Sequence, residues 1–199
     1  RLEEMERLRR DFTTTTIVLI PVAIAINLAI GEIIRRLGLP LYLDSIGTVF
    51  AGVVGGPLVG ALTGLVSNVI WGLLGNVQYV PFAAVAAVIG ILAAFFAQER
   101  WFRQWWRAIL AGVITGAIAA LLSAPISAYV FGGITGAAGQ DALVAIFREL
   151  GMGIAGSAFL QGFASDPLDK AITFFIVWLV LRGLPRRFMD RFPHVELEQ

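Results

Sequence analysis

The sequence predicts an all-α integral membrane protein, a six-transmembrane-helix bundle with both termini cytoplasmic. Three observations carry that expectation. The chain is 58% hydrophobic and only 15% charged, with a mean hydropathy of +0.82, whereas soluble domains carry about a quarter of their residues charged. Its long uncharged runs are rich in Ala, Leu, Ile and Gly, and lipid admits only helices and closed barrels. Small residues recur every fourth position, first as Gly52, Gly56, Gly60 and Gly64 and again as Ala108, Gly112, Gly116, Ala120 and Ala124. That spacing lines one face of a helix and lets another backbone come close.

Arg1 to Asp11 is charged, with Leu2, Met5, Leu8 and Phe12 at helical spacing, and reads as a juxtamembrane amphipathic helix. No cleavable signal peptide is expected, because this stretch is too charged and a full span follows it. The first span covers Thr13 to Ile34. It contains Pro21 and a small-residue pair, Ala25 and Ala29, bordered by Ala23 and Gly31. Glu32, Arg35 and Arg36 sit at its far end, and a short loop runs from Leu37 to Ser45.

Asp44 to Asn76 is 33 residues long and uncharged after Asp44. As one helix it would reach about 50 Å, against a bilayer core of about 30 Å. A break is expected at Gly55-Gly56-Pro57, since glycine ends helices and proline suits a first turn. Two packed spans result, one up to Gly55 and one from Pro57 to about Leu74. Thr48, Asn68 and Gly72 continue the four-residue step.

Gly75 to Val80 is a polar turn, and Pro81 to Ala97 is the fourth span. Gln98 to Arg107 mixes Trp101, Trp105 and Trp106 with Arg100, Arg103 and Arg107, the composition of a membrane interface. Ala108 to Phe131 is the fifth span, with Pro125 expected to bend it. Gly132 to Ser165 reads as one or two short helices dipping into the outer half of the bundle. Asp166 to Arg182 is the last span, followed by a basic tail with Arg186, Arg187 and Arg191. The domains expected are a cytoplasmic juxtamembrane segment over 1–12, a membrane domain over 13–187 and a cytoplasmic tail over 188–199.

Six spans place the arginines of both ends and of the 98–107 loop on one side, as the positive-inside rule prefers. Five spans would separate them. Arg35 and Arg36 are the exception, with Glu32 and Asp44 expected to offset them.

The chemistry available is narrow. The sole histidine is His194 and there is no cysteine, which removes imidazole and thiolate metal sites and a buried Ser-His pair. No phosphate-binding glycine loop with a following lysine occurs. No enzyme activity, metal or cofactor is expected. Asp166-Pro167-Leu168-Asp169-Lys170 holds the only lysine. It reads either as the N-terminal cap of the last span or as a place where Asp169 or Lys170 faces a ligand cavity.

Polar and aromatic residues gather at one set of span ends. Polar groups at membrane depth are costly unless they meet one another or a cavity. The candidate substrate-binding residues are Tyr42, Asp44, Asn68, Trp71, Asn76, Gln78, Tyr79, Tyr129 and Gln161, with Ser123, Ser127, Gln140, Asp141, Arg148 and Glu149 in the same set. They suggest an outward-facing pocket for a small polar molecule with a flat ring.

The asparagine-bearing span after Gly55-Gly56-Pro57, the Asp44-Ser45-Ile46-Gly47-Thr48 opening before it, the DPLDK motif from Asp166 and the arginine-rich end together resemble the substrate-binding S component of energy-coupling factor (ECF) transporters. The resemblance covers about Thr13 to Arg187. It implies a six-helix protein of the prokaryotic plasma membrane that captures a vitamin or related micronutrient. It also implies docking on a transmembrane coupling protein driven by two cytoplasmic ATPases, with Ala25 and Ala29 as the coupling face. The alternative reading is a membrane sensory or input module of a signalling protein, which a signalling domain after Arg187 would mark.

Overall fold

The computed structural model describes residues 11–194; the juxtamembrane helix expected over Arg1 to Asp11 lies almost wholly outside them. Among the described residues the chain is helical, without strands. α1 spans Thr14–Leu37, α2 Ile46–Gly55, α3 Pro57–Leu73, α4 Ala83–Gln98, α5 Trp105–Pro125, α6 Ala138–Glu149, α7 Ile154–Gly183 and α8 Arg186–Met189. A 3-10 turn, Val77–Phe82, leads into α4, and a π-helical turn, Ile126–Val130, extends α5. The stretches Thr14–Leu37, Val77–Gln98 and Trp105–Val130 are long and apolar enough to cross a membrane.

One end of the bundle is defined by chain termini and turns. His194 Nε2 lies 2.8 Å from Asp11 Oδ1, and its backbone N–H donates to the Val54 carbonyl. Arg182 donates to the carbonyl of Arg103. This basal end therefore collects the start of α1, the α2–α3 turn, the Trp-rich loop and the end of α7. The opposite end holds the close of α1, the 3-10 turn and α6, where Gly139 lies against the Leu39 backbone.

The Gly55-Gly56-Pro57 break is where the sequence places it. Gly56 has φ +94, and Pro57 occupies the first turn of α3. The span before it is not a full helix, however. Ten residues of α2 rise only about 15 Å, half a bilayer core. The N–H groups of Gly47 and Thr48 donate to Asn27 Oδ1, halfway along α1, so α2 begins at mid-depth. The segment before α2, from Leu39 to Ser45, is non-helical, read from sequence as a short loop. Pro40 disfavours a helix there, and such backbone survives at membrane depth only where protein satisfies it.

The small-residue ladders act as close-approach surfaces. A Cβ on Gly60 would stand 2.7 Å from the Gly90 carbonyl oxygen, and one on Gly64 2.3 Å from that of Ala86, so α3 and α4 pack backbone to backbone. In the second ladder, a Cβ on Gly112 would meet the Lys170 carbonyl at 2.3 Å and one on Gly116 that of Asp166 at 2.3 Å. α5 therefore seats directly on the segment of α7 that carries the charges. Ala25 and Ala29 are exposed on the outer face of α1, whereas Ala23 and Gly31 face inward.

One boundary needs correction. α7 is one helix of 30 residues with Pro167 inside it, so Asp166 is not an N-cap but a mid-helix residue. Gly112 and Gly116 of α5 lie against this stretch, and the helix runs on from Ile154 despite its charges. The fifth span keeps its expected extent: Pro125 lies where α5 passes into the π-helical turn, and the helix runs on to residue 131.

Candidate functional site

The sequence places its charges in the middle of α7, and the fold buries them. Asp169 is fully buried and Lys170 is 3% exposed. Asp169 Oδ1 accepts the backbone N–H groups of Tyr42 and Leu43, each at 2.8 Å. Its second oxygen pairs with the Lys170 ammonium. Lys170 Nζ also donates to Ser45 Oγ at 3.1 Å and lies 3.7 Å from Asp44 Oδ1, while Ser45 donates to Asp44 at 2.8 Å. The ammonium sits 5.7 Å from the centre of the Tyr42 ring. An acidic residue, a lysine and the unwound 39–45 segment thus form one closed unit. The carboxylate satisfies N–H groups that have no helical partner, and Leu43 is held at φ +46, a conformation rare for a branched side chain.

A cavity of about 90 Å³ opens beside this unit. At roughly 10–15 Å³ per water, it has room for several waters or one compact molecule. Its polar wall includes Tyr42, Asp44, Asn68, Gln78, Tyr79 and Gln161, six of the residues expected from sequence, and its apolar wall includes Phe82, Val85 and Ile89. Asn68 Nδ2 donates to the Tyr79 carbonyl at 3.2 Å, fixing the 3-10 turn over α3. Gln161 donates to Ser165 at 3.1 Å.

The other expected residues lie elsewhere. Trp71 is buried beneath the wall, stacked on Tyr79 with centroids 4.5 Å apart, and lines a smaller adjoining cleft. Asn76 precedes the 3-10 turn without lining the cavity, and Tyr129 is 80% exposed. Arg148 and Glu149 are exposed on α6, and Asp141 caps the 135–136 backbone at the start of that helix. Asp44 does not offset Arg35 and Arg36; Glu32 alone holds both. Ser123 and Ser127, expected at the same end, also line the cavity, as does Lys170, which one reading of DPLDK places there; Ser45, Thr48, Thr135 and Asp166 line it without having been expected to. The lone lysine in a hydrophobic run was the available signal for Lys170, and DPLDK carries both charges. Nothing local in sequence ties Asn27, whose amide donates to Thr48 and Ser67 and joins α1, α2 and α3 beneath the cavity.

Buried charges inside packed apolar helices define a multi-pass helical membrane domain built round a polar centre. Residues 12–131 match the family described as 5TMR of 5TMR-LYT, a five-transmembrane receptor domain of sensory and signalling proteins. The match covers more than half of the chain, and the chain belongs to that family. It takes in α1 to α5 and the π-helical turn, while α6 to α8 lie beyond it. No curated protein matches the chain, and no solved structure does.

The family overturns the ECF expectation. The matched family is not one of S components, and it agrees with the alternative of a sensory module rather than with vitamin uptake. The glycine ladders explain the misreading: close helix packing needs the same small residues whatever the bundle does. The coupling protein and its two ATPases entered through the resemblance alone and are not carried further.

Proposed function

We propose that this chain is the membrane input module of a signalling protein and that the cavity beside Lys170 receives a small molecule. Membership of a receptor-domain family supports the sensory role, and the observation that carries the binding role is a cavity whose wall includes buried Asp166 and Lys170. Polar groups at this depth are tolerated where they face one another or a cavity. α7 contributes Asp166 and Lys170, the 39–45 segment contributes Tyr42 and Asp44, and the 3-10 turn contributes Gln78 and Tyr79, so a bound molecule touches three elements that are distant in sequence. No catalytic role is assigned to these residues.

The arrangement in the membrane follows from charge. Arg100, Arg103, Arg107, Arg182, Arg186 and Arg187 share the basal end, while Arg35 and Arg36 at the opposite end are held by Glu32. The positive-inside rule puts the basal end, with both termini, in the cytoplasm and the cavity toward the outer side of the cell membrane. The passage along α1, the 39–55 segment, α3, α4, α5 and α7 then makes six crossings.

The role is tested by joining residues 1–199 in frame to a kinase output domain and following phosphorylation in cells. Gln161→Ala, in the cavity, is expected to change the output, whereas Leu73→Ala, on the exposed surface, is expected to leave it unchanged. Identical output from all three chains, each correctly inserted, refutes the sensory reading.

A further inference from the structure

We propose that the cavity selects an organic cation, a compact ammonium-bearing molecule with a flat face; this rests on the cavity being the ligand site. Three carboxylates, Asp44, Asp166 and Asp169, gather round a single ammonium, Lys170. Lys170 is already engaged by Asp169, Ser45 and Asp44. Arg35, on the adjoining cleft, is held by Glu32. The site therefore carries a formal excess of negative charge with no basic side chain left to meet it.

Asp166 is where the excess is open. It is 5% exposed and lines the cavity, yet its only side-chain hydrogen bond among the described residues is a long one from Ser123 Oγ, 3.3 Å to Oδ2. No basic group lies within 4 Å of it among the described residues, because Lys170 turns toward Asp169 and Asp44. A second polar group on the same wall is unused: Ser127, 6% exposed, makes no side-chain hydrogen bond among the described residues. Gly116 fixes the position of Asp166 by letting α5 contact its backbone. An isolated buried carboxylate is strongly disfavoured unless it is paired or protonated. A ligand ammonium pairs it, the Ser127 hydroxyl accepts a further N–H, and Tyr79 and Phe82, which line the same cavity with one ring face each stacked on Trp71 and Phe131, supply aromatic rings for a cation. An anion would meet Asp44 and Asp166 at close quarters, with Lys170 already occupied.

The experiment uses the full chain in lipid nanodiscs and three probes of similar shape: benzylammonium, benzyl alcohol and benzoate. Binding is followed by saturable thermal stabilisation at mildly alkaline pH, with sodium chloride as the inorganic-cation control. Benzylammonium is expected to bind at least about tenfold more tightly than benzyl alcohol, the factor a charge-assisted contact supplies, with no saturable effect of benzoate. Asp166→Asn keeps the shape and the Ser123 contact and is expected to abolish the preference. Phe82→Leu is a second variant, expected to weaken benzylammonium while sparing benzyl alcohol.

Equal binding of the ammonium and the alcohol overturns the proposal and means that Asp166 is held protonated. Preferred binding of benzoate overturns it in favour of Lys170 as the anchor. Saturation by sodium with displacement of benzylammonium overturns it in favour of an inorganic cation. All three of these leave the cavity as a binding site. No saturable binding of any probe overturns both the cation class and the ligand site.

Discussion

Removing the negative charge of Asp169 tests how the polar centre holds the membrane domain together. In Asp169→Asn the side-chain oxygen still accepts the N–H groups of Tyr42 and Leu43, now held at 2.8 Å. What disappears is the partner of Lys170, which stays 3% exposed inside the bundle. Breaking one side of a buried ion pair costs about 3–5 kcal/mol, mostly for the charge left behind. Asp44 remains 3.7 Å from the ammonium and takes up part of that load, which favours the lower end, about 3 kcal/mol. At roughly 2–4 °C per kcal/mol for a chain of this length, the unfolding midpoint should fall by about 6–12 °C. The assay is thermal unfolding of the purified chain in nanodiscs, monitored by tryptophan fluorescence. The double variant Asp169→Asn with Lys170→Met removes the stranded charge and should recover at least half of the loss, giving a favourable coupling in the double-mutant cycle. A fall of less than about 2 °C for the single variant, or a double variant worse than the sum of the two singles, would refute the reasoning.

The ladder on α5 makes the second prediction. Gly116→Val places a branched side chain against the Asp166 backbone, where even a Cβ would stand at 2.3 Å. It should cost at least about 1–3 kcal/mol by overpacking, seen as a lowered midpoint, whereas Gly183→Ala, with open space round its Cβ, should change the midpoint little. Ala25→Trp and Ala29→Trp lie on the exposed face of α1 and should leave the midpoint and probe binding unchanged; a large loss of both would show that this face is covered. For topology, single cysteines at Arg103 and Arg187 should be protected from an impermeant external reagent, and one at Leu74, 68% exposed at the opposite end, should be labelled. Labelling at Arg103 with protection at Leu74 would invert the arrangement.

Much of the bundle was legible because its signals are local. Glycine φ and proline at a first turn mark the α2–α3 break, and four-residue spacing marks the helix faces that meet at Gly60 and Gly116. The half-helical passage before Gly56 was not legible. Its uncharged residues read as a span, and only the distant Asp169, more than a hundred positions along the chain, supplies the acceptor that lets residues 42 and 43 stay non-helical. The same long-range tie explains the misreading of DPLDK. Asp-Pro at the start of an apolar run has the pattern of a helix cap, but Ile154 to Ser165 already forms helix ahead of it. Six of the nine candidate binding residues line the cavity, since polar residues near span ends converge there. Tyr129 shows the limit of that logic: the π-helical turn sends it outward. The choice between transport and sensing was written in neither the ladders nor the charges, because helix packing makes similar demands on both.

The central claim is that the cavity beside Lys170 holds the molecule to which this membrane domain responds. Its most direct test is to purify the chain under mild conditions, denature it and identify released small molecules by mass spectrometry, with Gln161→Ala and Gln78→Ala purified alongside. The account predicts one compound released stoichiometrically from the wild-type protein and lost from both variants while they remain folded. Equal retention by both variants, or release of nothing but lipid from the wild-type protein, would contradict it.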